Sequence, residues 1–340
     1  MSVAGKRVAL VGGAGFIGHH LALELARLGA HVDVVDSLEV NNLLTFTVAP
    51  AQMRHRQSYV HMLTTRLELL REAGVKVHLQ DARNAHGLAT VLSGLAPQII
   101  VHLAAVSHAN RSNADPHSTF DHSLMTLENA LDWARGQVEQ FIFISSSMAY
   151  GNFLTPAVSE DHPLSPIGIY GAFKVAGEKM VAAHGQVFDL PYTIVRPSAL
   201  YGPRCVSRRV IQIFIEAARD GEPLIVDADP HERFDFTCVD DLVGGMTRAM
   251  DNPLALGQIF NLSFGHSRSM TELIDLICEK FPGVRVKYVE RDRSRAIRGT
   301  LAIDKAKQVL GYEPRFPLEI GLTKYVDWYA TLPSDQPVAV

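Results

Sequence analysis

Tyr170 and Lys174 stand four positions apart in "GIYGAFK". On a helix those positions share one face, so the ammonium can sit beside the phenol and ease its ionisation. A phenol so tuned is a general base near neutral pH. Some twenty residues earlier, "FIFISSSMAYG" closes an apolar run with Ser145, Ser146 and Ser147, and a hydroxyl there can hold a substrate oxygen in line with the base. Taken alone, Tyr-x-x-x-Lys is better read as a packed ring and a solvated ammonium. The surrounding elements decide whether these groups meet.

The strongest such element is "VALVGGAGFIGHHLALELARLGAHVDVVD". It reads as a strand, a turn through Gly12, Gly13, Gly15 and Gly18, and a helix with Leu21, Leu25 and Leu28 on one face. Glycines let the backbone approach a pyrophosphate, and the free N–H groups and positive dipole end of the helix face the anion. A second strand ending in Asp36 completes the dinucleotide fingerprint. A carboxylate there accepts from a ribose 2′-hydroxyl and repels a 2′-phosphate, which selects NAD over NADP. Asp81, in "LQDARN", reads either as a contact to the adenine edge or as a helix cap. "HLAA", residues 102–105, ends another strand in small residues that let a dinucleotide lie close, and His102 is either a core histidine or a ligand contact.

Stretches 7–11, 31–36, 75–79, 98–105, 140–146 and 192–197 are continuously apolar and alternate with helical segments. Such runs predict strands covered on both faces, hence a doubly wound parallel α/β sheet of Rossmann type. Its carboxyl edge is where ligands bind, so the serines and the Tyr-Lys pair converge there. Residues 41–74 exceed what one strand-helix unit needs, and Leu63, Leu67 and Leu70 predict an inserted helix ending at Gly74. Beyond Tyr201 proline-punctuated short elements predict a smaller C-terminal α/β lobe with helices at 209–219, 239–250, 270–280 and 318–331. The reading is therefore a dinucleotide domain over 1–200 and a second lobe over 201–340.

A formal net charge of −4 over 340 residues gives no general attraction to nucleic acid or anionic lipid. Cys205, Cys238 and Cys278 form neither a disulfide framework nor a thiolate metal site, and no histidine cluster has ligand spacing, so no metal is expected. No apolar stretch reaches membrane-spanning length. These features predict a soluble cytoplasmic protein.

The ordered motifs "VGGAGFIG", "HLAAVSH", "SSSMAYG", "YGAFK", "RPSALYGPR", "DFTCVDDL" and "LAIDKAKQVLGYEP" resemble the nucleotide-sugar epimerase/dehydratase branch of the extended short-chain dehydrogenase/reductases, from Arg7 to about Trp328. The resemblance implies NAD in the first lobe, a nucleoside-diphosphate sugar in the second, and a homodimer formed through helices near 119–134 and 169–183. It selects Ser146 as the active serine, with Tyr170 as base and Lys174 as its partner. The cofactor contacts it implies are Gly12, Gly15, Phe16, Ile17, Gly18, Asp36, Asp81, Ala82, Leu103, Ala104, Ala105, Ser145, Tyr170, Lys174 and Pro197. The expected substrate contacts are Ser107, His108, Ser147, Met148 and Ala199, with Arg208, Arg209, Arg233 and Arg298 as candidates for the diphosphate.

Within that branch, 4,6-dehydratases carry Asp-Glu after the active threonine; this chain has Ser147 and Met148, neither an acid nor a base. The loop "HLAAVSHANRS", with His108 and Arg111, is closer to the dehydratase form, but the missing acid bears directly on chemistry. The expected reaction is 4-epimerisation through a transient 4-keto sugar; the alternative is a dehydrogenase, dehydratase or decarboxylase releasing a keto sugar, and a non-catalytic NAD sensor ranks last. Ala199 replaces the family's asparagine and Arg233 is displaced by one position, so the diphosphate candidates are arginines that include the cluster "RDRSRAIR", which reads nearly as well as a solvated charged loop.

Overall fold

A computed structural model of the chain describes residues 2–40, 43–50, 53–106, 109–227, 229–290 and 296–333. Seven strands form one parallel sheet: β1 (Arg7–Val11), β2 (His31–Asp36), β3 (Lys76–Leu79), β4 (Ile99–His102), β5 (Gln140–Ile144), β6 (Tyr192–Pro197) and β7 (Gln258–Leu262). Their spatial order is β7-β6-β5-β4-β1-β2-β3. β1 pairs with β2 from Arg7 opposite His31 and with β4 from Val8 opposite Ile99. The winding direction therefore reverses beside β1, which opens a crevice at the carboxyl ends of β1 and β4.

The continuous apolar runs follow from two-sided burial. Val8 and Leu10 point into one layer with Leu21, Leu25, Leu242 and Met246, whereas Ala9 and Val11 point into the other with Leu88, Leu92, Leu127 and Leu131. Leu21 and Leu25 are wholly buried, each worth about 2 kcal/mol of transfer free energy.

The predicted C-terminal helices occur at Val210–Arg219, Val239–Asp251, Met270–Lys280 and Leu318–Ala330. The division at residue 200, however, is interleaved. The chain leaves the sheet after Pro197 and returns: helix Val239–Asp251 packs on helix Phe16–Arg27, and β7 pairs with β6. A second apolar core gathers Tyr201, Phe214, Phe234, Phe236, Leu273, Leu322 and Tyr329. The inserted segment forms helices Leu43–Val48 and Arg56–Glu72. Tyr59, Met62 and Leu63 of the longer one enter that second core, while Leu70 enters the sheet layer, so the helix bridges both.

Candidate active site

Gly12 has φ +81°, and a Cβ there would lie 2.4 Å from the Ala104 backbone nitrogen; a Cβ on Gly18 would lie 2.4 Å from the Gly13 carbonyl oxygen. Only hydrogen lets β1, β4 and the first turn of helix Phe16–Arg27 approach so closely. That helix starts at Gly15 with no side chain capping its N–H groups and no acid in its first turn. Asp36 accepts from the Ala14 N–H at 2.9 Å and the Leu38 N–H at 2.8 Å, and burial pushes its carboxyl above the ordinary range against those bonds. Gly12, Gly15, Phe16, Ile17, Gly18, Asp36, Asp81, Ala82, Leu103, Ala104 and Ala105 line one cleft. The donor set fits a dinucleotide: unpaired N–H groups for a pyrophosphate and a carboxylate at the end of β2 for ribose hydroxyls.

Ser37, Gln80, His122, Thr126, Ser207 and Arg209 also line that cleft. His122 and Thr126 are one helical turn apart and could have been found by that spacing; Ser207 arrives from the far lobe with no local pattern. Arg83 holds the Asp81 carboxylate through Nε and Nη2 at 2.6–3.0 Å and pulls its pKa down. The cap of helix Ala85–Leu95 is Asn84, which accepts from Gly87, so the capping alternative for Asp81 is corrected. His102 is a buried core histidine beside Phe141 and Phe143, kept neutral by burial at a pKa of about 3.

The three serines after β5 have different partners. Ser145 donates to Glu178, Ser147 donates to Ser198 at 3.3 Å, and Ser146 accepts from the Met148 N–H at 3.2 Å while its hydroxyl neighbours the Tyr170 phenol. Tyr170, Lys174 and Glu178 follow one another at single turns along helix Gly168–Phe188. Gly171 lets that helix touch the serine turn, since a Cβ there would lie 2.6 Å from the Met148 carbonyl. Lys174 Nζ lies 5.8 Å from the Tyr170 ring centre and donates to the Ile144 carbonyl at 2.7 Å. Burial lowers the Lys174 amine to about 8, with Glu178 opposing. Glu178 in turn receives Arg196 through Nε at 2.8 Å and Nη2 at 2.6 Å.

One electrostatic expectation needs correction. Burial raises the Tyr170 phenol above its ordinary pKa, and the cation that holds it down is Arg209, with help from Ser146, rather than Lys174. Arg209 is expected at a diphosphate; the structure puts it in the lining of the dinucleotide cleft, from where its charge favours the phenolate of Tyr170.

The expected arginine set also divides. Arg208 lines a second cavity against the inserted segment and lies 3.9 Å from Glu216. Arg233 and Arg298 line a third, of about 420 Å³, where Arg233 donates to Ser267 and Arg298 stacks 4.5 Å over Phe234. Pro197 sits in the sheet opposite Leu262, and Ser145, Ser146, Tyr170, Lys174 and Pro197 are not among the residues lining the cleft. Ser147 is buried and Met148 half-buried; Ala199 has φ +35° at the start of a segment that also holds Arg204 at +61° and Arg208 at +47°. Ser107, His108, Arg291, Arg293 and Arg295 lie outside the described residues. Among the described residues no group of three histidine, cysteine or acidic side chains could hold a metal ion.

The model of the NAD dependent epimerase/dehydratase family matches residues 8–263. The chain is 28% identical over 330 residues to an uncharacterized UDP-glucose epimerase of Bacillus subtilis, covering 96% of this chain and 98% of that protein. The solved UDP-glucose 4-epimerase of Thermotoga maritima, determined with UDP-glucose, is 26% identical with a TM-score of 0.80, over 95% of this chain and 98% of that one. A dTDP-glucose 4,6-dehydratase of Streptomyces venezuelae, solved with NAD bound, is 25% identical with a TM-score of 0.80, over 95% and 97% of the two chains.

Proposed function

The chain belongs to the NAD-dependent epimerase/dehydratase family, and on that premise we propose that it is a nucleoside-diphosphate-sugar 4-epimerase working through a transient 4-keto sugar. The observation that carries this is the meeting of Ser146, Tyr170 and Lys174, with Arg209, whose charge acts on the phenol, lining the glycine-rich cleft. The residues assigned to NAD are Gly12, Gly15 and the helix behind them for the pyrophosphate, Asp36 for a ribose, and Lys174 for the other ribose; an ammonium has three donors, of which Ile144 takes one. When bound, NAD accepts hydride from the sugar carbon and later returns it.

Tyr170 Oη takes the proton of the C4 hydroxyl and gives it back after the keto sugar has turned over in the site. Ser146 Oγ donates to the same oxygen and keeps it in line. Ser147 is spent on Ser198 and Met148 has no titratable group, which leaves nothing there to eliminate water and supports epimerisation over dehydration. The cavity holding Arg233 and Arg298 supplies charge for the nucleotide diphosphate. The three free thiols accord with a reducing cytoplasm, which cell fractionation checks. No helix among the described residues is long and apolar enough to cross a membrane. We also infer a homodimer, supported by exposed Phe120, Met125, Val187 and Phe188 on the two helices expected to pair.

Tyr170→Phe is the direct test. It should leave NAD binding intact and lower kcat by roughly 10²–10⁴-fold, the usual worth of a positioned general base. Turnover above about a tenth of wild type with UDP-glucose or UDP-glucuronic acid removes Tyr170 from the role of base.

A further inference from the structure

Arg66 is the most deeply buried cation of the inserted segment, with 1% of its surface exposed. Among the described residues it has no carboxylate within ion-pair distance. Its guanidinium instead donates to two backbone carbonyls: Nη1 to Ala14 at 3.4 Å, and both Nε, at 3.1 Å, and Nη2 to Arg204. Ala14 belongs to the glycine-rich loop, and its N–H is held by Asp36. Arg204 begins the segment that delivers Ser207 and Arg209 to the opposite side of the same cleft. That segment is strained, with Arg204 at φ +61° and Arg208 at +47° within it, and such backbone persists only where neighbours hold it. A second strut runs parallel: Arg204 Nε donates to His19 Nε2 at 2.9 Å, and His19 Nδ1 then donates to the Gly15 carbonyl at 2.8 Å.

We propose that Arg66 is a positioning residue for the cofactor, its single guanidinium tying the glycine-rich loop to the 204–209 segment and so holding the two walls of the NAD cleft at the separation that retains the dinucleotide. This rests on the reading of that cleft as the NAD site. It gives the inserted helix a function that its sequence does not disclose. The helix is anchored at one end in the second core by Tyr59 and Leu63 and at the other in the sheet layer by Leu70, which leaves Arg66 at the junction of the two lobes.

The test compares Arg66→Met, Arg66→Lys and Leu63→Ala with wild type, measuring NAD affinity by calorimetry, melting temperature, and kcat and KM at saturating NAD. Removing a charged donor from buried carbonyls should weaken NAD binding by at least about tenfold in Arg66→Met. At saturating NAD, kcat should fall by a smaller factor than NAD affinity, because Arg66 touches no reacting atom and acts on the phenol only through the segment that carries Arg209. Arg66→Lys keeps the charge but lacks the fork, and should recover part of the affinity. Leu63→Ala should lower the melting temperature without loosening NAD. Unchanged NAD affinity in Arg66→Met, or equal loss in Leu63→Ala, overturns the clamp; if Arg66→Met fails to fold, Arg66→Lys carries the same comparison. A wild-type chain that binds no NAD overturns the cofactor reading itself, a separate result.

Discussion

The phenol at position 170 sits under opposing influences, and their ranking decides when it works. Burial favours the neutral form, while Arg209 and the Ser146 hydroxyl favour the phenolate. Lys174, the residue that the i, i+4 spacing singles out, spends one donor on the Ile144 carbonyl and is itself pulled toward neutrality by burial. The cation that favours the phenolate therefore comes from 39 positions away in sequence, at Arg209, where no local pattern marks it. Its removal has a definite sign. Without Arg209 the phenolate loses a favourable neighbour, so the pKa of Tyr170 rises and the acid limb of kcat/KM moves to higher pH. Because kcat/KM reports the free enzyme, the pH profile of Arg209→Gln reads this directly. A limb that stays in place would assign the tuning elsewhere.

At the scale of elements, periodicity served well where one face decides the outcome. Helix Met270–Lys280 follows its apolar stripe and carries a reciprocal Ser269–Glu272 cap, and the strands of the sheet begin within a residue or so of the apolar runs. β7 went unread: "QIFNL" is short, lies among proline-bounded helices, and becomes a strand only because β6 offers a free edge. Helix Arg56–Glu72 was legible as a helix, but its burial was not; its leucines look like one stripe and in fact serve two cores. The exposed apolar side chains on Pro116–Ala134 and Gly168–Phe188 are an element-scale property too. Phe120, Val187 and Phe188 are 41–69% exposed, more apolar surface than two neighbouring helices of a monomer usually leave to water. Light scattering should give twice the chain's 37.3 kDa, and Phe120→Glu with Val187→Glu should give the monomer without lowering the melting temperature of the fold. A monomeric wild type at micromolar concentration refutes this pairing.

For the whole molecule, buried histidines link stability to pH. His19, His20 and His102 are each held neutral mainly by burial, the latter two at about 3. Their folded pKa lies below the unfolded value near 6.5, so their stabilisation is complete above that pH and is lost as pH falls from 6.5 toward 3. Each contributes a slope of up to roughly 1.4 kcal/mol per pH unit in that window. Asp235, raised by burial to about 6, acts in the opposite sense as pH rises from 3.8 to 6, and so do Asp36, Glu160 and Asp241, whose carboxyls burial also raises. Acidification from pH 6.5 to 5 should cost the wild type more melting temperature than it costs His102→Leu; an equal change in both excludes His102 as a contributor. The amino-acid sequence by itself determined the doubly wound sheet, the glycine cradle with Asp36, and the Ser146, Tyr170 and Lys174 constellation. Each of these is written in short-range spacing: a period of apolar residues, a turn that only glycine can make, two side chains one helical turn apart. Only the tertiary structure decided which arginine's charge acts on the phenol, how the expected diphosphate arginines divide among separate cavities, and that the inserted helix places Arg66 between two walls. Those depend on long-range burial, where a side chain's partners and its pKa are set by segments that the chain brings together only when both lobes have closed on each other.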